Sequence, residues 1–255
     1  MRHCFEDKMT RRIKLVVAYD GTDFHGWQFQ PGVRTVESDL IQAIKELTGE
    51  TVEIIGASRT DAGVHSMGNV AVFDTESTIP GDKFALALNT KLNEDVSVIE
   101  SSEVATNFHP RHCNSVKTYE YRIYESRVGN PLKRRNAIQC PVKLDVDLMN
   151  EAAAYLIGEH DFKSFCSVHT QAETTVRTIY DVQVLRDKED IAIRVKGAGF
   201  LYNMVRIIAG TLMEVGSGKI PPIRVREILE STDRTVAGPT AEAKGLTMIG
   251  IKFEE

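Results

Sequence analysis

An aspartate in a short polar loop is the residue of this sequence best placed for acid–base or nucleophilic chemistry. Asp61 stands in the stretch Ser-Arg-Thr-Asp-Ala-Gly-Val-His over residues 58–65, between two strand-like runs. An aspartate in such a turn often only caps its own backbone. Arg59, however, lies two residues away and could keep the carboxylate ionised, and the small residues Ala62 and Gly63 leave room for a ligand. A catalytic and a capping role for Asp61 both stay open at this stage.

Arg206 is the second residue whose setting predicts a function. It lies within residues 200–215, which read as a helix that is apolar on most sides and should be largely buried. Burial of a guanidinium is costly unless a carboxylate or a phosphate pairs with it. Asp61 is a candidate for that partner. The alternative is that the side chain extends along the helix and reaches solvent.

A strand predicted over residues 116–124 carries Tyr119, Tyr121 and Ile123 on one face and the charged residues Glu120 and Arg122 on the other. Tyrosines on a sheet can stack on an unpaired nucleic-acid base. They can equally belong to the core, where each hydroxyl needs a polar partner. We expect Tyr121 to be a core residue, whereas the role of Tyr119 stays open.

The distribution of charge favours a nucleic-acid partner, although the total charge does not. The chain of 255 residues has a formal net charge of −5. Residues 1–110 carry a net −7, residues 111–255 a net +2, and the stretch 109–143 a local +6. A concentrated basic stripe can bind phosphates even on an acidic protein. The cations that we predict to contact RNA are Arg111, Lys117, Lys133, Arg134 and Arg135. For the last three, a solvated loop is an equal alternative.

Several classes of protein are disfavoured by the composition. No apolar run approaches the roughly 20 residues that a membrane span needs, so we expect a cytoplasmic protein with no membrane partner. Residues 1–10 read as a polar, disordered leader. Four widely spaced cysteines in such a chain predict reduced thiols. Pro110 disfavours a helical ligand pair between His109 and His112, so we predict no metal site.

The elements that must position these residues occur in the same order twice. In residues 11–110 the patterns predict strands over 13–19, 52–57, 69–74, 96–100 and 103–109, with helices over 35–47 and 82–92. In residues 111–255 they predict strands over 116–124, 176–185, 191–196 and 246–252, with helices over 147–157, 200–215 and 223–229. Each half therefore reads βαββαβ, the ferredoxin-like order. We predict an α+β fold of two such halves, packed side by side through largely antiparallel sheets. The first half carries the Asp61 loop, and the second carries the basic stripe and the Arg206 helix.

The sequence resembles the tRNA pseudouridine synthase A family along essentially all of residues 11–253. The matching stretches are 19–28, 59–65, 117–121, 158–165, 176–179, 203–206, 213–216 and 243–246. The string Arg-Thr-Asp-Ala-Gly-Val-His at residues 59–65 is highly specific for that family. Ser58 departs from it, since many members have glycine there. This difference should loosen the turn a little without touching the chemistry.

The resemblance implies a pseudouridine synthase fold and the conversion of uridine to pseudouridine at positions 38 to 40 of the tRNA anticodon arm. It implies that Asp61 is the catalytic aspartate, acting as nucleophile or base. Arg59 resembles the arginine that helps to displace the target base, and Tyr119 resembles the tyrosine that packs against it. Arg206 resembles the partner of the aspartate. The resemblance also implies a homodimer that uses no metal and no organic cofactor.

Two other functions fit part of these patterns. A non-catalytic RNA-binding protein with two ferredoxin-like units would explain the fold and the basic stripe, but it gives no reason for a buried Arg206. Hydrolysis of a glycosidic bond normally needs two carboxylates that flank the bond, and no second acid is clearly positioned in the sequence.

Overall fold

The computed structural model describes residues 10–168, 170 and 172–254, and its strands form one continuous sheet. Of the predicted leader only Thr10 belongs to the described part of the chain, and residues 1–9 lie outside it. The two predicted units are adjacent stretches of this sheet, and each follows the βαββαβ order.

The first unit consists of four strands and two helices. They are β1 (Arg11–Tyr19), α1 (Val36–Thr48), β2 (Ile55–Gly56), β3 (His65–Thr75), α2 (Phe84–Leu88) and β4 (Val96–Val104). The strands lie in the order β4-β1-β3-β2, and all neighbours are antiparallel. Local sequence sets both ends of α1. Thr35 and Ser38 form a reciprocal capping box, and Gly49 ends the helix with a φ of +78°.

The second unit repeats this arrangement with additions. Its elements are β5 (Ser115–Glu125), β6 (Ile138–Cys140), α3 (Val146–Ala154), β7 (Gly158–Asp161), β8 (Val176–Asp187), β9 (Asp190–Gly197), α4 (Met204–Gly216), α5 (Ile223–Ser231) and β10 (Leu246–Phe253). The strands lie in the order β10-β5-β9-β8-β7, again antiparallel, and the short β6 runs parallel to β5.

A short parallel pairing joins the two units. Thr247 and Met248 of β10 pair with His65 and Ser66 of β3, immediately after the Asp61 loop. The continuous order is therefore β4-β1-β3-β10-β5-β9-β8-β7. The prediction of an α+β fold with two side-by-side ferredoxin-like units and largely antiparallel strands is confirmed. A domain boundary near residue 110 stays a prediction, because the sheet runs unbroken through both units.

Each unit has its own apolar core. In the first, Ile13, Leu15 and Val17 alternate along β1 and pack with Leu40 and Ile44 of α1. The core of the second unit is built mainly from β5, β8, β9, α3 and α4.

Val64 connects the Asp61 loop to the second core. It belongs to the chain of the first unit, but it is 2% exposed and packs within the core of the second. The loop is therefore held by both units.

Two predicted strands differ from the structure. The strand expected over 103–109 does not form, because β4 continues to Val104 and its pairing with β1 ends there, opposite Arg12. The chain then turns, with the N–H of Phe108 bonded to the carbonyl of Ala105. The strand expected over 52–57 is reduced to β2, because only Ile55 and Gly56 pair with β3 before the chain enters the Asp61 loop.

Three predicted helices are shorter than expected. α2 ends at Leu88, where the side chain of Asn89 bonds both backbone groups of Val98 at 2.8 and 2.9 Å. α3 covers Val146–Ala154 instead of residues 147–157. α4 begins at Met204 rather than at residue 200, because Asn203 has a φ of +61° and cannot continue a right-handed helix.

Residues 19–27 form a cradle against the Asp61 loop, and two of its glycines make the close approach possible. A Cβ atom at Gly21 would overlap the carbonyl oxygen of Val64. A Cβ atom at Gly26 would lie 2.7 Å from the carbonyl oxygen of Thr60, and Gly26 also has a φ of +86°. The glycines in the stretch 19–28 therefore let two backbone segments meet without side chains between them.

We expect Gly21→Ala to destabilise the protein by about 1–3 kcal/mol, because the added methyl group must push the cradle away from the loop. Gly250→Ala is the matched control, since a Cβ atom there meets no atom within 4 Å. Urea unfolding of both variants measures the difference. Equal losses in the two variants would contradict a close approach at Gly21.

Candidate active site

The Asp61 loop, residues 57–64, is fixed by backbone hydrogen bonds to the cradle. The N–H of Trp27 donates to the carbonyl of Thr60 at 3.1 Å, and the N–H of Gly63 donates to the carbonyl of Phe24 at 3.2 Å. These two bonds hold the chain on either side of Asp61. Within the described residues the Asp61 carboxylate accepts no hydrogen bond from the loop backbone, so the capping role considered for it is not what the structure shows.

Arg206 of α4 is the cation beside Asp61. Its Nη1 lies 3.6 Å from Oδ2 of Asp61, an ion pair slightly longer than a hydrogen bond. The two side chains are 17% and 21% exposed, so neither reaches freely into solvent. The same guanidinium donates from Nε to the carbonyl of Ala241 at 2.7 Å and from Nη1 to Oδ1 of Asn203 at 2.8 Å. The alternative that Arg206 extends into solvent is therefore wrong.

Arg59 does not have the charge-pairing role that its position in the sequence suggested. It is exposed, and among the described residues it forms no ion pair with Asp61. Because Arg59 and Asp61 are only two residues apart in an irregular loop, their side chains need not converge. The distant Arg206 occupies the place beside the carboxylate instead.

Two opposing effects act on the pKa of Asp61. Burial raises the pKa, because the charged carboxylate loses part of its hydration. The positive charge of Arg206 lowers it, and burial is the larger of the two effects, so the pKa ends above its ordinary value. The carboxylate is consequently more basic than an exposed one, which suits a group that must attack a carbon atom or accept a proton.

Tyr119 lies next to the loop with its ring buried. The side chain is 6% exposed, its hydroxyl is 2.9 Å from Oγ of Ser58, and its ring meets Phe200 edge to face at 5.2 Å. Burial raises the pKa of the Tyr119 hydroxyl, so it remains protonated. Ser58 thus fixes the tyrosine hydroxyl instead of merely loosening the turn. Tyr121 is fully buried, as predicted, and its hydroxyl donates to the carbonyl of Glu242.

Asp61 and Tyr119 line a cavity of about 920 Å³ whose charged residues are mostly cations. The cationic side chains that line it are Arg59, Arg111, Lys117 and Arg177. Asp61 is the acidic residue among those that line it. None of these four cations forms an ion pair within the described part of the chain. The structure therefore brings Arg111 and Lys117 of the predicted basic stripe next to Asp61. It also adds Arg177, whose only signal in the sequence was its place in the stretch 176–179.

The rest of the predicted basic stripe lies elsewhere. Lys133 pairs with Glu189 and Asp190, and Arg135 lies 3.4 Å from Asp20. Within the part of the chain that the structure describes, the Arg134 side chain bonds only to the carbonyl of Pro131. The stretch 133–135 is therefore a separate surface, outside the cavity that holds Asp61.

Among residues 10–168, 170 and 172–254, no group of three or more histidine, cysteine or acidic side chains is arranged to hold a metal ion. His109 and His112 stack with ring centroids 3.9 Å apart rather than converging on a point. Within the same residues, no helix is both long and apolar enough to cross a membrane.

A partly buried carboxylate in a cationic cavity, on a sheet of two ferredoxin-like units, is an arrangement suited to an enzyme with a polyanionic substrate. The comparison with known families specifies that class. The family described as tRNA pseudouridine synthase matches residues 15–113 and 152–254. The chain belongs to this family, which confirms the resemblance seen in the sequence.

Individual relatives of the same family match this chain over their full length. The chain is 48% identical to a tRNA pseudouridine synthase A of Acetivibrio thermocellus, over 95% of this chain and 100% of that protein. It is 46% identical to one of Caldicellulosiruptor bescii over the same shares. Among solved structures, a chain of an H/ACA RNP bound to a substrate RNA containing 2′-deoxyuridine matches at a TM-score of 0.35 and 11% identity. That match covers 94% of this chain and 47% of the other, and its similarity is too low to support an argument.

We expect Arg206→Met to raise the pKa of Asp61 further, because burial then acts without the opposing positive charge. The carboxyl group of the variant should stay protonated to a higher pH than that of the wild type. The pKa can be read from the ¹³C shift of the Asp61 carboxyl group in an NMR titration. Arg226→Met, which removes an exposed helical ion pair with Glu230, is the control and should leave the titration unchanged. Superimposable curves for Arg206→Met and the wild type would contradict the proposed effect of the ion pair.

Proposed function

We propose that this chain isomerises uridine to pseudouridine in tRNA, at positions 38 to 40 of the anticodon arm, with Asp61 as nucleophile or general base. The observation that carries the proposal is the environment of Asp61. The carboxylate is partly buried in a cationic cavity, lies beside Arg206, and has a raised pKa. Membership of the tRNA pseudouridine synthase family supports the class of reaction.

The isomerisation of uridine needs only a small set of catalytic residues. The bond between N1 of uracil and C1′ of ribose breaks, the base turns, and a bond forms between C5 and C1′. The proton on C5 is released and N1 gains a proton, so no redox partner is consumed. One ionised carboxylate that is shielded from water suffices. Attack of Asp61 on C1′, attack on C6 of uracil, and removal of a sugar proton all meet this requirement.

Three neighbours have supporting roles in the proposal. The target uridine must first leave the base stack, which costs a few kcal/mol. Arg59 is exposed beside the loop and forms no ion pair among the described residues, so its guanidinium is available to take the place of the base in the stack. Tyr119 offers the edge of a fixed ring against the extruded uracil. Arg206 counters the effect of burial on Asp61 and keeps a larger fraction of the carboxylate ionised.

The RNA-binding surface is proposed to have two parts. Arg111 and Lys117 contact the RNA inside the cavity, and Lys133, Arg134 and Arg135 contact it further out.

We further propose that the protein works as a homodimer in the cytoplasm, where tRNA is its substrate. Sedimentation equilibrium at micromolar concentration tests the dimer, and a monomer mass would exclude it.

We expect the wild type to release tritium from C5-labelled uridine in unmodified tRNA, whereas Asp61→Ala and Asp61→Asn release none. Both variants should retain most of their tRNA affinity, because neither change removes a cation. Loss of binding together with activity would mean that Asp61 is mainly structural. If the wild type itself binds tRNA and releases no tritium, the chain is a non-catalytic RNA-binding protein. Release of free uracil would instead indicate hydrolysis.

We expect Arg134→Ala to weaken tRNA binding and to reduce the dependence of log K on log salt by roughly 0.7–0.9 units, the value for one lost phosphate contact. Lys133→Ala is the matched control and should change the slope less, because two carboxylates already neutralise that ammonium group. Filter binding over a range of salt concentrations gives both slopes. An unchanged slope in Arg134→Ala would remove this surface from the RNA interface.

A further inference from the structure

Three of the cations in the cavity form a cluster built from separate parts of the fold. Arg111 lies in the segment before β5, Lys117 lies on β5, and Arg177 lies near the start of β8. All three line the cavity that holds Asp61. We call them the cation cluster.

Backbone carbonyls hold each member of the cation cluster in place. Nε of Arg111 donates to the carbonyl of Gly56 at 2.8 Å, and Nζ of Lys117 donates to the carbonyl of Ala57 at 3.0 Å. Nη1 of Arg177 donates to the carbonyl of Thr174 at 2.9 Å. These contacts fix the side chains without neutralising them. No member forms an ion pair within the described part of the chain.

The three charges are close enough to act on one another. Burial, and to a smaller extent the positive charges of Arg111 and Arg177, together lower the pKa of Lys117 to about 8. Burial also lowers the pKa of each of the two arginines. The carboxylates of Glu37 and Glu53 oppose this effect at Arg111 from a distance, without forming an ion pair with it. Like charges that are partly desolvated and not directly paired raise the free energy of the empty site.

Among the described residues, the charges that act on Lys117 are the two arginines of the cluster, and no acid compensates them there. On the two neighbouring strands, the residues in register with it are Gly197 and Ile251, and neither is charged. In the adjacent Asp61 loop, Arg59 adds another cation. The carboxylate of that loop, Asp61, lies beside Arg206. An anion that enters the cavity would therefore meet three cations of which none is engaged in an ion pair within the described part of the chain.

We propose that Arg111, Lys117 and Arg177 form a phosphate-binding subsite, which holds a backbone phosphate of the RNA beside the nucleotide that enters the cavity. Phosphate oxygens accept charge-assisted hydrogen bonds from guanidinium and ammonium groups, and a phosphate supplies the missing negative charge. Of these residues, Arg177 carries no other assigned role. The inference rests on the proposed function in taking the ligand to be the substrate RNA.

The position of Tyr119 supports a nucleotide as the occupant. Lys117 and Tyr119 are two residues apart on β5, so they lie on the same face of the strand, roughly 6–7 Å from each other. This spacing is comparable with the separation of phosphate and base within one nucleotide. A phosphate on the cation cluster would place its base towards Tyr119 and the Asp61 carboxylate.

The subsite gives RNA binding a distinctive dependence on pH. A bound phosphate stabilises the ammonium form of Lys117, so its pKa is higher in the complex than in the free protein. Well below pH 8, Lys117 is protonated in both states and contributes no pH dependence. Above about pH 8, binding must take up a proton, so the affinity falls as the pH rises. Lys117→Arg keeps the charge at every pH and should not show this fall.

The test measures binding of an RNA stem-loop with cytidine at the target position, so that the RNA is not converted. A single neutral methylphosphonate linkage is placed in turn at each position around the target. We expect one linkage to lower the affinity of the wild type by roughly tenfold, as for a lost hydrogen bond to a charged group. The same linkage should cost Lys117→Met and Arg177→Met much less, because their partner is already gone. If every linkage lowered the affinity of the variants by the same factor as that of the wild type, the substitution and the linkage would be independent, and the subsite would be refuted.

The controls separate a lost contact from a general loss of charge or of fold. Lys219→Met removes an exposed lysine paired with Glu214, and it should respond to the neutral linkage as the wild type does. Lys117→Met should melt at a temperature no lower than the wild type, because it removes an uncompensated, partly buried charge. The wild-type protein with modified RNA still decides the question if a variant fails to fold. In that measurement, equal affinity of the wild type for all the modified RNAs would refute the subsite.

Two further measurements test the subsite, namely the pH dependence of RNA affinity and a turnover assay. Between about pH 7 and about pH 9 the affinity of the wild type should fall relative to that of Lys117→Arg, and parallel profiles would count against the subsite. Turnover of an unmodified stem-loop with uridine at the target is measured separately. A selective effect of one linkage without any turnover would leave the subsite standing and refute the proposed function. Turnover of the unmodified RNA, with no single linkage affecting affinity more than the others, would support the proposed function and refute the subsite.

Discussion

The ion pair between Asp61 and Arg206 is the interaction on which the arrangement of the site depends. The carboxylate belongs to a loop of the first unit, and the guanidinium belongs to α4 of the second. Either charge, if it were partly buried and unpaired, would cost several kcal/mol of desolvation, and the pairing offsets this cost. The two units must therefore meet at a fixed distance. The parallel pairing of β3 with β10 sets that distance, and it begins at the residue that follows the loop.

The requirements of Arg206 also explain irregularities around it. A guanidinium carries five N–H groups, and a single carboxylate at 3.6 Å cannot satisfy them. Asn203 supplies one further acceptor through its side chain, and Ala241 supplies another through its carbonyl. Asn203 has the left-handed backbone conformation that ends the irregular segment and delays the start of α4. The left-handed conformation of Asn203 thus accompanies the hydrogen bonds that hold Arg206.

The location of unpaired charge distinguishes the cavity from other parts of the sheet. Arg12, Arg34 and Arg186 are also partly buried, and each pairs with at least one carboxylate. In the cavity, Lys117 and Arg177 have only backbone carbonyls as partners within the described residues. A protein with a net charge of −5 can therefore present a strongly cationic site. What matters for a polyanion is the local field and not the total charge.

The amino-acid sequence alone determined the order of most elements and identified Asp61 as the candidate acid. Alternation in β1, the capping residues of α1 and the βαββαβ order are local patterns, and they predicted the fold class. Local reasoning failed where partners lie far apart in the chain. The cost of burying a guanidinium did name Asp61 as a candidate partner of Arg206, but it could not decide between Arg206 and Arg59 as the cation beside that carboxylate. Nor could it show that Lys133 is neutralised by Asp190. It also did not identify Arg177 as a residue that lines the cavity. Sequence spacing fixes which residues share a strand or a helix face, whereas the convergence of loops and strand ends depends on pairing between distant segments. Only the tertiary structure, through the β3–β10 pairing and the packing of Val64 into the second core, decided which charges meet.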